Sequence, residues 1–290
     1  MHVKSYFYIK PTNINFNSIV TIPNLDRYDY MNKQYLKLAK DYLNSIVLSG
    51  KTAVLYAGGV TVESSEGRNV TDLDRYELPQ LMSGLAIREL SAHNMHKYIG
   101  QLHDKELVEY ASINANTCAS SMYSLYEAEK LIRHEGYEEV IIITEDKASH
   151  NTIRVFDECN IPVKVGDALA IMHLTSKERF PCITNTKWKY EWNRNPFNVT
   201  SEGYNKVIGN IGVRNIKPHG TDTYANNNAE DSVLPLGKKE IRYKKEIGHT
   251  QGSSSLLEIC MLLDDDSIKE NTLCLASGLG GFYGSCIVTK

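Results

Sequence analysis

The chain has 290 residues, 42% hydrophobic and 23% charged, with a formal net charge of −3. That length suits one large domain or two fused halves with a core that needs no disulfide or metal. A pI of about 6.3 offers none of the concentrated positive charge that nucleic acid or an anionic membrane surface rewards. No run approaches the ~18 apolar residues of a membrane span, and Met1–Phe7 lacks the apolar core of a signal peptide. The cysteines (Cys118, Cys159, Cys182, Cys260, Cys274 and Cys286) are scattered without a C-x-x-C pair. They read as reduced thiols of a cytoplasmic protein, not as a zinc site.

Tyr35, Leu36, Leu38, Ala39, Tyr42, Leu43 and Ile46 recur at helical spacing and predict a helix within 23–48. Residues 52–60 predict a strand ending in a glycine turn, and about 78–98 a helix. Residues 109–116 predict a strand, Thr117–Ser121 a turn of small residues, and the following stretch a helix to about His134, stopped by Gly136. The β-branched run Val140–Thr144 predicts a strand buried on both faces. Strand, helix and strand make a βαβ unit, so the sheet is at least partly parallel. The C-terminal part repeats this grammar weakly. Thr250–Ser255 is a small-residue turn, Leu256, Leu257, Cys260 and Met261 mark an amphipathic helix, and Thr272–Ala276 is a strand. Residues 183–232, polar and rich in Asn, are expected to be loops and a cap.

Cys118 stands where a strand hands over to a helix. Unpaired N–H groups and the macrodipole there favour thiolate, although a tight turn also suits a buried structural cysteine. His219 lies in a Pro-His-Gly loop, and His249 just before the second small-residue turn. Each alone is ambiguous. Gly278–Gly284 is too near the C-terminus to open a dinucleotide-binding unit and fits a turn between two strands.

Together these segments resemble the β-ketoacyl synthases, the condensing enzymes of fatty-acid and polyketide synthesis. Asn116–Ser121 looks like the nucleophile motif, Pro218–Thr223 like H-G-T-x-T, Lys244–Gly252 like K-x-x-I-G-H-T-x-G, and Gly278–Gly281 like the glycine loop G-F-G-G. Weaker echoes are Leu25–Tyr28, Phe156-Asp157 and Gly166-Asp167-Ala168. The resemblance implies an α/β thiolase-like fold over residues 1–290, with two pseudo-duplicated, βαβ-containing halves (about 1–170 and 171–290) whose mixed five-stranded sheets sandwich helices. Two histidines mark the elongating type.

It implies Cys118 as the acyl-accepting nucleophile and His219 and His249 as donors to an enolate. Lys244 joins them in the catalytic set, with Glu258, Thr221 and Thr223 in support and Leu279, Gly280 and Gly281 as the oxyanion-hole and gate loop. No metal or cofactor is implied. The implied reaction is decarboxylative condensation of an acyl-cysteine with a malonyl-type carrier thioester. Alternatives on the same fold are a non-elongating acyltransferase and a non-catalytic partner subunit. Implied partners are an acyl carrier protein or another acyl thioester donor, and a second copy or a related subunit in a dimer. The chain departs from the family at the gate. Leu279 and Ser277 replace phenylalanines, Phe282-Tyr283 replaces Thr-Asn, and Ser253–Ser255 replaces Ala-Ala-Gly.

Overall fold

Runs of residues apolar on both faces must be covered on both faces, and the chain places them at the centre of a sheet. The computed structural model describes residues 1–15, 19–23, 33–58, 91–148, 156–157, 163–195, 198–209, 212–234 and 237–290. In chain order the strands of the first half are β1 (His2–Ile9), β2 (Asn13–Asn15), β3 (Ile19–Thr21), β4 (Thr52–Gly58), β5 (Val108–Asn114), β6 (Glu139–Asp146), β7 (Val165–Gly166) and β8 (Ala168–Thr175). Those of the second half are β9 (Cys182–Tyr190), β10 (Asn215–Lys217), β11 (Lys239–Glu240), β12 (Thr272–Gly278) and β13 (Phe282–Thr289). Strands β2, β3 and β7 form a small separate sheet.

The two halves repeat one topology. The first orders its main strands β1-β8-β6-β4-β5 and the second β9-β13-β12-β10-β11. In both, the strand that opens the half lies antiparallel to the one that closes it, and the two pairs farthest along are parallel. The expected five-stranded mixed sheets are present. They are joined edge to edge at one register pair, His2 with Cys182, into a ten-stranded sheet. Main-chain bonds from Val3 N–H to Pro181 O and from Ile183 N–H to Met1 O, each 2.9 Å, secure the seam.

The helices Ser120–His134 and Ser254–Asp264 hold the same place in the two halves, and Leu125, Leu256 and Leu257 join one core cluster with β6 and β12. The sequence predicts an amphipathic second helix, but every residue from Ser254 to Leu263 is buried. Lying between layers, it has no solvent face to present. Residues 183–232 also differ from expectation. They contain β9, β10 and the helices Ser201–Ile208 and Tyr224–Asp231. The first buries Tyr204, Val207 and Ile208 on one face, the second is polar along most of its length, and both start from side-chain caps: Thr200 accepts from Gly203 N–H and Thr223 from Asn226 N–H.

Residues 91–99 form the end of the helix expected over 78–98. Residues 78–90, Leu25–Tyr28 and Cys159 lie outside the described residues. The other five cysteines are free and buried. Among the described residues no helix is long and apolar enough to cross a membrane.

Candidate active site

Strand β5 ends at Asn114, whose amide donates to Ser124 Oγ at 2.9 Å and Glu127 Oε2 at 2.7 Å on the following helix. The chain then turns through Thr117, at φ 51°, into the 3₁₀ turn Thr117–Ala119 that carries Cys118. The C-terminal loop closes onto this turn. Thr117 Oγ1 donates to Leu279 O at 2.9 Å. A Cβ on Gly278 would lie 2.5 Å from Thr117 Oγ1 and 2.8 Å from Asn116 O, so only glycine lets the two segments approach this closely.

The helix N-terminus predicts a lowered thiol pKa for Cys118, and burial overrides it. Desolvation pushes the thiol up to about 12, while the Lys244 ammonium and the N–H groups of Leu279 and Cys118 pull the other way. Asp146, which also raises it, ends β6 and accepts from Ser253 N–H at 2.8 Å and Ser253 Oγ at 2.6 Å.

His219 follows β10. Its loop is held by Gly220, at φ 66°, whose N–H donates to Glu230 Oε1 at 3.1 Å. His249 follows the short helix Lys244–Ile247, and its N–H donates to Lys164 O at 2.6 Å. His249 Nδ1 accepts from Gln251 N–H at 3.0 Å, so in the neutral ring the proton is assigned to Nε2. The two imidazoles are 5.4 Å apart at 75°, and Phe156 lies 5.2 Å from His249. Burial, then the Lys244 charge, takes His249 down to about 3. The same causes hold His219 well below the usual histidine range. Both rings are therefore neutral near pH 7.

Behind them lies a buried charge cluster. Lys244 Nζ donates to His219 O at 2.5 Å and to Glu258 Oε1 at 2.6 Å. Lys217 Nζ donates to Glu258 Oε2 at 2.6 Å. Sequence reasoning reached Lys244 and Glu258 but missed Lys217, Glu230 and Asp146. Lys217 left one sign: a lysine inside a short apolar segment two residues before His219.

A cavity of about 490 Å³ opens onto Cys118, His219, His249, Thr221, Thr223, Leu279, Ser277 and Asn226, a volume within the range of small-molecule sites. Thr223 also caps the helix beside it. Lys244 lines a smaller cavity of about 280 Å³ that shares His249 and Thr221 with the first. Gly280 and Gly281, at φ 95° and 86°, make the turn between β12 and β13 and are not cavity walls. A Cβ on Gly281 would lie 1.9 Å from Glu191 O. Two of the weaker echoes meet here: Phe156 lines the cavity, and Asp167 accepts from Ile22 N–H and Ala148 N–H at 2.8 and 2.9 Å, next to Gly166, whose N–H donates to His249 O at 3.0 Å. Among the described residues no three His, Cys, Asp or Glu side chains are arranged to hold a metal ion.

Two repeated βαβ-containing halves, with a cysteine at the strand-to-helix turn of the first and two histidines delivered by the second, define a thiolase-like architecture. No protein-family model and no curated protein matches the sequence. Solved structures match its fold. A β-ketoacyl synthase from Burkholderia phymatum STM815 superposes with a TM-score of 0.69 at 12% identity, covering 94% of this chain and 88% of that one. A structure of the ketosynthase ApeO with its chain length factor ApeC from Xenorhabdus doucetiae gives 0.67 at 13%, covering 99% and 97%. The ishigamide ketosynthase/chain length factor gives 0.66 at 14%, covering 98% and 91%. The chain has the ketosynthase fold.

Proposed function

We propose that this chain is a decarboxylating ketosynthase. One observation carries the reading: Cys118 shares a cavity with two histidines that burial keeps neutral, one of them locked with its proton on Nε2. A neutral imidazole takes the Cys118 proton as Sγ attacks an acyl thioester, and that proton leaves with the departing carrier thiol. The N–H groups of Cys118 and Leu279 receive the oxyanion.

A malonyl-type thioester then enters. Its carboxylate carbon–carbon bond breaks, carbon dioxide departs, and the electron pair moves onto the thioester as an enolate. N–H donors of His219 and His249 stabilise that oxygen, each such donor lowering the barrier by about 3–4 kcal/mol. The enolate carbon attacks acyl-Cys118, the carbon–sulfur bond to Cys118 breaks, and the released thiolate takes a proton from water. Lys244 holds the His219 carbonyl and so positions the ring.

We infer an acyl carrier protein as donor and a related subunit as partner. The partner is supported by the likeness to ketosynthase and chain length factor structures and by β5. That strand ends the sheet order with Glu109, Tyr110 and Ala111 exposed, an edge free to pair.

The test is to load the protein with an acyl-carrier thioester, add malonyl-carrier protein, and follow intact mass and carbon dioxide. Acyl-Cys118 with decarboxylation is expected. Acyl-Cys118 without decarboxylation makes the chain a simple acyltransferase. No labelling, with Cys118→Ala indistinguishable from wild type, makes it a non-catalytic partner subunit.

A further inference from the structure

The Cys118 cavity is lined by two buried polar side chains that the condensation chemistry leaves unused, Asn226 and Ser277. Asn226, 2% exposed, stands on the first turn of the helix Tyr224–Asp231 and lines the cavity beside Cys118 and both histidines. Its Oδ1 accepts from the Tyr204 hydroxyl at 3.2 Å and the Ser277 hydroxyl at 3.5 Å. Both hydroxyls are held in turn, since Tyr204 OH also meets Ser277 Oγ at 3.0 Å and Glu230 Oε1 at 3.1 Å. Glu230 is the residue that receives Gly220 N–H in the His219 loop, so the network is tied to the catalytic scaffold.

The Nδ2 of the same amide has no partner among the described residues. A buried donor without an acceptor is costly, and native proteins retain few of them. One that lines a substrate cavity is satisfied when a ligand brings the acceptor. Ser277 strengthens the placement. It immediately precedes Gly278, which packs against Thr117 beside the nucleophile.

We propose that Asn226 is a specificity-determining residue that donates its amide N–H to an oxygen of the thioester substrate, so that the cavity selects oxygen-bearing acyl groups over hydrocarbon ones. This rests on the ketosynthase reading and names its substrate class. A site built to hydrogen-bond a substrate group discriminates strongly against an analogue lacking it, because the site's own polar atom is then left unpaired. The oxygen has two possible sources: the acyl group loaded onto Cys118, or the second thioester that condenses with it.

The experiment uses the full chain with N-acetylcysteamine thioesters in shape-matched pairs whose oxygen can only accept: acetoacetyl against 3-methylenebutanoyl for loading, and methoxymalonyl against ethylmalonyl for condensation. Acyl-Cys118 is followed by intact mass and the second step by product mass. At least a tenfold preference for the oxygen-bearing member, in one step or the other, is expected, and the step showing it identifies the source. The preference is expected to fall to near unity in Asn226→Leu. Asn226→Asp, which keeps the shape and the acceptor but removes the amide donor, is expected to lose it too, and serves if Asn226→Leu fails to fold.

Wild-type preference for the hydrocarbon member, or equal rates in both pairs, overturns the inference while leaving the ketosynthase reading intact. A preference that survives in Asn226→Asp overturns the role of Asn226. Absence of acyl-Cys118 with every thioester overturns the reading itself, and this inference with it.

Discussion

Lys217 and Lys244 share a single carboxylate, their ammonium nitrogens each 2.6 Å from a different oxygen of Glu258. All three side chains are at least 95% buried. Two cations on one anion leave a net positive charge behind the two histidines. That charge helps to hold both histidines neutral, since Lys244 and Lys217 each lower His219 and His249.

Removing the anion is therefore expected to cost far more than removing one cation. Glu258→Gln leaves two ammonium groups facing each other out of water and should destabilise by about 3–5 kcal/mol. Lys217→Met leaves an intact Lys244–Glu258 pair and should cost about 1 kcal/mol or less. Urea unfolding of the two variants measures the difference, and equal losses would refute the shared-carboxylate account. The two lysines also hold the Glu258 carboxyl below the usual range, against the opposing effect of burial. The sign follows: the cluster stabilises above the ordinary carboxylate pKa and is lost as pH falls below it.

His249 titrates near 3 in the fold, against 6.5 for a free histidine. Between those values the unfolded chain binds a proton that the folded chain refuses, so stability falls as pH falls. One such histidine gives a slope of up to ~1.4 kcal/mol per pH unit. His249→Asn should flatten the curve of urea midpoint against pH between about 7 and 4, leaving the contribution of His219, which is shifted the same way. An unchanged slope would show that the ring is solvated.

Cys118 should react as a thiol, not as a thiolate. With burial pushing it up to about 12, its alkylation by iodoacetamide should rise ~tenfold per pH unit from about 7 to 9 without a plateau. Lys244 is the cation that pulls this pKa down, so Lys244→Met should slow the reaction further at every pH. Intact mass with Cys118→Ala as control reads both effects. A plateau near pH 8 would mean that acylation needs no proton transfer to a histidine.

The legible parts of this protein are those where chemistry is local. The run Val140–Ile143 could only be a covered strand, and Thr117–Ser121 and Thr250–Ser255 could only be tight turns before helices. Cys118, His219, Lys244, His249 and Glu258 stood out through spacing and motif. What escaped was set by contacts distant in sequence. Strand β9 has an alternation too weak to announce itself, because its outer half is exposed and its register comes from β13. Lys217, Glu230 and Asn226 look like ordinary surface residues until the fold buries them.

Cys118 thus illustrates both levels. Sequence alone determined that a cysteine would sit at a strand-to-helix turn with two motif histidines following it, because turn chemistry and helix starts are written in neighbouring residues. Its protonation state was decided only by the tertiary structure. A helix N-terminus acts over one turn, whereas burial comes from every segment that closes around the thiol: the Gly278-Leu279 loop, the His219 loop and Phe156. Here the desolvation they impose outweighs the local dipole, and Cys118 rests as a thiol.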